Sequence, residues 1–486
     1  MDKKRIQAII EEKGEWFTRA SDAIWEYAEM RFEETRSADL LCDMLAEAGF
    51  AVKKGIGGLA TAFVASYGSG APVVAILGEY DALAGLAQER GVAQPKPPEA
   101  GGNGHGCGHN LLGVGALAAA VAVKEYLAET KIPGTVRYYG CPGEEGGSGK
   151  AFMAREGAFA GADIALTWHP MTHNTIFSMS TLANYQVAFK FHGKSSHAGT
   201  APHLGRSALD AVELMNVGVN YLREHVVQEA RIHYAVTNTG GVSPNVVQAE
   251  AEVLYLMRAP QVAQVQEIYE RICKIAQGAA LMTETECEVI FEKACSNYIP
   301  NEILGQVLLD NFRVIGAPTP DDAEMQFARK IQATLTEQDR RNDLQMAADF
   351  MGGAGTAMVR ALSEKVVSDV ILTCVHSSRL LTGSTDVGDV SWILPTAQLC
   401  VACQAFGTPG HSWQTVAQSA TSLAHKGMLI AAKVMAGAAV DVLEQPALAA
   451  AAQEELRSSL GGKIYVCPIP ATVAPKLAPQ GKSVGG

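Results

Sequence analysis

The chain has 486 residues, too many for one ordinary hydrophobic core, so at least two folded units are expected. It is 48% hydrophobic and 19% charged, a globular composition, with 39 basic and 51 acidic residues giving a formal net charge of −12. That balance excludes general affinity for nucleic acid or an anionic membrane, although one well-placed arginine still suffices for an anionic substrate.

The opening MDKKRIQAIIEEKGEWF is charged and amphipathic, without the apolar core and cleavage site of a secretion signal. Apolar positions at helical spacing predict helices over 2–30 and 36–48. Strand and helix signals then alternate: a strand at 72–77 (PVVAIL), a helix at 111–130, a strand at 135–141 (TVRYYGC), a helix from about Lys150, and a strand at 163–168 (DIALTW). Such alternation implies a largely parallel sheet covered on both faces. From Asn184 the pattern becomes β-α-β-β-α-β, ending near Glu292, which suggests a small α+β sandwich inserted in the larger unit. After Ser296 the α/β texture resumes, with a long polar helical segment at 318–349 and, at the end, a packed arm followed by a loose Pro- and Gly-rich tail. The longest apolar run, Leu111 to Val123, is too short to span a bilayer. The ten cysteines are scattered, so a cytoplasmic protein with reduced thiols is expected.

Metal-ligating residue types recur just beyond the predicted strands, where open α/β sheets place their sites. Glu79 and Asp81 follow the strand PVVAIL; taken alone they read as solvated turn acids. In His105-Gly106-Cys107-Gly108-His109-Asn110 the glycines let the backbone come close to an ion, and Cys107 and His109 can share a metal centre. Glu144 and Glu145 lie in a Gly-rich turn; one can ligate a cation while the other takes a proton from a water. Read alone, the pair is equally a helix start facing solvent. His169 and His411 are lone histidines that gain weight from their places at strand ends beside Pro170 and Gly410. Two ions about 3.5–4 Å apart could share this whole set. Asp386 and Asp389 read either as carboxylates behind ligand histidines or as a plain acidic turn. Cys400 and Cys403 fall in an apolar strand-like run and face opposite sides, which argues against redox or zinc chemistry there.

In sequence order, GEYDAL, HGCGH, GEEGGSG, WH and PGH resemble the aminoacylase/carboxypeptidase G family of co-catalytic metallopeptidases. The Cys-x-His form resembles its amidohydrolase branch, which includes hippurate hydrolases and indoleacetyl-amino-acid hydrolases, and the likeness spans most of the chain. It implies an α/β fold: a mostly parallel-sheet domain, 1–183 and 297–486, holding two metal ions, and an inserted α+β sandwich, 184–296, serving as lid and dimerisation surface. It implies Cys107 as bridging ligand, with His109, Glu145, His169 and His411 completing two sites for Zn²⁺ or Mn²⁺. Glu144 would be general base and then acid, Asp81 would support the metal centre, and His197 would polarise the scissile carbonyl. Asn245 and Arg258 would hold the substrate's carboxylate. From the residues alone, His197 reads as a loop histidine capping the next turn, and Arg258 equally as a rim ion pair or dimer contact. Glu79 and Asn110 depart from the branch, which usually has aspartate at both positions. The stretches 165–170, 384–392, 406–413 and 465–470 make N-(aminobenzoyl)-glutamate the leading substrate that the likeness implies. Indoleacetyl- or benzoyl-amino acids and dipeptides are the alternatives. A homodimer or a heterodimer with a related subunit is expected. A third reading, a non-catalytic partner subunit, is disfavoured because both glutamates and every ligand type are present.

Overall fold

A computed structural model describes residues 3–353 and 356–477. The expected loose tail, from residue 478 on, lies outside the described residues. The arm before it is packed: Ile469 is buried and the Tyr465 hydroxyl donates to Asp389 at 2.9 Å. In chain order the strands are β1 (Ala51–Lys54), β2 (Phe63–Ser69), β3 (Val73–Gly78), β4 (Gly134–Gly140), β5 (Ile164–Met171), β6 (Thr175–Ile176), β7 (Ser180–Thr181), β8 (Ala183–His192), β9 (Arg231–Asn238), β10 (Glu250–Ala259), β11 (Glu286–Cys295), β12 (Leu380–Leu381) and β13 (Thr396–Ala402).

The main sheet has seven strands in the order β1-β2-β4-β3-β5-β13-β6. Its centre, β4-β3-β5-β13, is parallel, while β1, β2 and β6 join it antiparallel. The sheet is therefore mixed, which corrects the expectation of a mostly parallel one. The missed strands β1 and β2 are short and partly exposed, and their sequences AVKK and FVASYGS carry no sustained apolar run.

Alternating side chains divide β3 between two cores: Val74 and Ile76 face one, Ala75 and Leu77 the other. On the first face the helix His109–Thr130 packs against the sheet and the helix Ser422–Glu444. It is apolar nearly all round because it is buried nearly all round. It is long and apolar enough to cross a membrane, yet 83% of its apolar window is buried inside the protein. Close contact with the sheet requires Gly115, where a Cβ would come within 2.7 Å of the Trp168 ring. The predicted first helix is two, Lys3–Glu12 and Gly14–Tyr27.

The β-α-β-β-α-β expectation matches β8, the helix Ala208–Leu222, β9, β10, the helix Val262–Thr283 and β11. These strands form a separate antiparallel sheet in the order β11-β8-β10-β9, with Val187, Phe189, Val253 and Tyr255 buried beneath its helices.

Candidate metal centre

Four chain segments meet at the C-terminal ends of the central strands. The helix His109–Thr130 begins at Gly108, whose positive φ of 75° turns the HGCGH loop into it. The Trp168 ring N–H donates to Leu112 O at 2.9 Å, which ties β5 to that helix and brings His169 beside Cys107. The His411 N–H donates to Gly106 O at 2.9 Å, pinning the distant loop to the same place. His411 takes a left-handed backbone, φ 55°, an uncommon conformation for a residue with a Cβ. The turn carrying Glu144 and Glu145 is held by Glu34, which accepts from Gly143 N at 2.8 Å, and by Asp81, which accepts from Glu145 N at 2.7 Å.

The outcome is three overlapping clusters. Cys107, His109 and His169 place one donor atom each within 4.8 Å of one another; so do Cys107, Glu145 and His411, and so do Glu79, His109 and Glu144. Cys107 Sγ lies 3.3 Å from His169 Nε2 and Glu145 Oε1 lies 3.1 Å from His411 Nε2. Asp81 Oδ1 takes the other nitrogen of His109, Nδ1, at 2.9 Å, leaving Nε2 turned toward the cluster. All five expected ligands thus converge, with Cys107 common to two groups. Glu144 and Glu145 diverge as expected, into different clusters.

Their electrostatics fit cations. Burial and Glu145 oppose ionisation of the Cys107 thiol, but His169 and His109 outweigh them and pull it down to about 6. Burial likewise opposes ionisation of Glu145, yet His411 and His109 hold it down to about 2. Contact with Cys107 and Glu145 raises His411 to about 11. Burial, then Glu145 and Glu79, push the Glu144 carboxyl well above its ordinary range. Cys107 and Glu145 are thus drawn toward their ionised forms, the ones that ligate a metal. Buried His109 Nε2 and Glu145 Oε1 also lack hydrogen bonds of good geometry, as donors awaiting an ion do.

The other residues named from the sequence fall as follows. His169 lies within β5, paired with Cys400, rather than beyond its end. His105 is buried and bonded to Ile24 O, belongs to none of the three clusters, and burial drives it down to about 3. Asn110 ties the helix to Ser21 and Ser419 instead of touching a ligand. Asp386 binds Lys150 Nζ at 2.6 Å, and Asp389 binds Ser296 and Tyr465; neither bonds a ligand histidine among the described residues. Cys400 and Cys403 are buried free thiols, and burial raises both. Sequence reasoning missed Lys150, whose Nζ also sits 2.6 Å from Glu79, and nothing in its local sequence marks it. It missed Glu34 as well.

The clusters open onto a cavity of about 210 Å³ whose lining includes Cys107, Glu144, Glu145, His169 and His411. Arg258 reaches its rim, donating from Nη1 to the lining Ser384 Oγ at 3.1 Å, with Nε unpaired. His197 and Asn245 stand apart on the inserted unit. Both are exposed and outside the cavity lining, and His197 Nδ1 accepts from Gly199 N and Thr200 N at 3.1 Å, the capping arrangement.

The profile of peptidase family M20/M25/M40 matches residues 75–441. One of the two named components of the p-aminobenzoyl-glutamate hydrolase of Escherichia coli K12 is 51% identical over 470 residues, covering 97% of this chain and 98% of that one. Among solved structures, an aminobenzoyl-glutamate utilization protein from Klebsiella pneumoniae superposes with a TM-score of 0.58 at 16% identity, covering 89% of this chain and 97% of its own. A dinuclear metal-binding M20 peptidase from Bacillus subtilis gives 0.56 at 16% identity, covering 89% and 99%. At that identity these two share the fold.

Proposed function

Because the chain belongs to peptidase family M20/M25/M40, we propose that it is a metal-dependent amidohydrolase that cleaves N-acyl amino acids, its lead substrate N-(aminobenzoyl)-glutamate, giving aminobenzoate and glutamate. One observation carries this reading: Cys107 stands in two donor clusters at once, with His109 and His169 on one side and Glu145 and His411 on the other. These five residues would hold two divalent cations, Zn²⁺ by the preference of thiolate and imidazole, or Mn²⁺ by that of carboxylate. Such ions, when bound, acidify water and draw electron density from the scissile carbonyl. Glu144 accepts the proton of the attacking water and returns it to the departing amine. Asp81 fixes the tautomer and orientation of His109 through their 2.9 Å bond.

Arg258 presents an unpaired Nε beside the cavity and would clamp the α- or γ-carboxylate of the glutamate half. Arg258→Ala is expected to raise KM for N-(aminobenzoyl)-glutamate about 10–100-fold with a smaller change in kcat. Equal KM values for wild type and variant remove Arg258 from this role.

Residues 184–296 act as lid and association surface. The helix Ala208–Leu222 leaves Leu214, Val217 and Tyr221 exposed one turn apart, which supports a covered face. His197 and Asn245 reach substrate when this unit closes over the cavity. The Escherichia coli relative is named as one component of a multi-chain enzyme, which supports pairing with a related chain. Ten free cysteines fit the reducing cytoplasm. The deciding experiment is release of free amino acid from a panel of N-acyl amino acids after chelation and resupply of Zn²⁺ or Mn²⁺. Chelation should abolish glutamate release and one of the metals restore it. Activity untouched by complete metal removal, or none with either metal, rejects the reading.

A further inference from the structure

The turn that carries Glu144 and Glu145 has little of its own to hold it. Gly143, Gly146, Gly147 and Gly149 contribute no side chains, and glycine leaves the backbone freer than any other residue does. Burial and the negative charges of Glu144, Glu145 and Glu79 also oppose bringing these carboxylates together.

Support comes from the segment Glu29–Glu34, between the helices Gly14–Tyr27 and Thr35–Glu47. Glu34 is fully buried; its Oε1 accepts from Gly143 N at 2.8 Å and its Oε2 from Thr61 Oγ1 at 3.0 Å. Arg31 Nη1 donates to Gly146 O. Glu29 O accepts from Ala82 N at 2.8 Å, so the same segment also holds the residue after Asp81. The Phe32 ring fills the room that the glycines leave. A Cβ at Gly143 would lie 2.6 Å from that ring, one at Gly147 2.8 Å and one at Gly149 3.5 Å. Phe32 also meets Phe152 of the following helix edge to face, with centroids 6.2 Å apart. To stand there Phe32 takes a left-handed backbone, φ 63°, which is unfavourable for a bulky residue and persists only where the surroundings enforce it.

We propose that Phe32 is a positioning residue of the hydrolytic site, its ring moulding the turn 143–149 and thereby placing the Glu144 carboxylate. This rests on the amidohydrolase reading above. A general base displaced by a fraction of an ångström to an ångström loses much of its effect, although nothing that touches substrate has been removed.

The test is a double-mutant cycle in the full-length, metal-supplied protein, read by glutamate release from N-(4-aminobenzoyl)-glutamate. Phe32→Ala empties the room beside the turn. Gly147→Ala puts a methyl where the ring stands, and Gly147 has no left-handed backbone to penalise the alanine. Each single variant should lower kcat about 10–100-fold with KM within about threefold of wild type. In the double variant the methyl enters vacated room, so its kcat loss should be at least about tenfold smaller than the product of the two single losses. A ring that only stabilises the fold would shift the urea midpoint and leave kcat alone. Folded single variants with the wild-type kcat therefore overturn the assignment while leaving the hydrolase reading intact, and so do losses that multiply in the double variant. Should Phe32→Ala fail to fold, Phe32→Leu takes its place in the cycle. Wild type that releases no glutamate with either Zn²⁺ or Mn²⁺ rejects the hydrolase reading, and this assignment with it.

Discussion

Glu144→Gln should lower kcat by about 10²–10⁴-fold while the bound metal stays at the wild-type level. Glutamine keeps the shape of the side chain and a hydrogen-bonding oxygen but cannot take and return a proton. Glu144 is well placed for that work. It lines the cavity, and burial, then the negative charge of Glu145 and Glu79, raise its affinity for a proton. Glu145 is different: it shares a cluster with Cys107 and His411, and its backbone N–H is fixed by Asp81. Glu145→Gln should therefore lose metal first and activity as a consequence. Steady-state hydrolysis and metal content, measured on the same dialysed samples, separate the two. Loss of metal from Glu144→Gln with retention in Glu145→Gln would mean that the adjacent glutamates hold each other's roles.

The candidate ligands are legible because their chemistry is rare in sequence. A thiol and an imidazole two residues apart among glycines, or two glutamates in a glycine turn, have few structural reasons to exist. His169 is legible as a candidate ligand, but its place relative to the strand is not. Pro170 reads as a strand terminator, yet β3 pairs β5 only as far as Leu166, so beyond that point one edge is free and no N–H is needed from the proline. Partners distant in sequence were not legible at all. Lys150 and Asp386 are separated by 236 positions, and only the fold decides that they meet. His197 shows the converse: its family likeness points to the site, while its own surroundings show a capped, exposed loop.

Lys150→Met should destabilise the fold by about 3–5 kcal/mol, the cost of stranding buried charges. Lys150 is fully buried, and its Nζ touches Glu79 and Asp386, each at 2.6 Å. Burial opposes its charge, but Asp386 and Glu79 more than compensate and raise its pKa well above the usual value. Glu79 in turn lies 3.2 Å from His109 Nε2, so this one ammonium neutralises a carboxylate that also touches an imidazole of the candidate metal centre. Methionine fills the space without the charge, leaving Glu79, Asp386 and the adjacent Glu144 to repel one another. Urea unfolding of metal-free protein measures the loss. Adding Asp386→Asn to Lys150→Met should recover part of it, because the double variant strands fewer charges than the single one. If Lys150→Met unfolds within about 1 kcal/mol of wild type, the carboxylates have another source of compensation and the lysine is not what holds them.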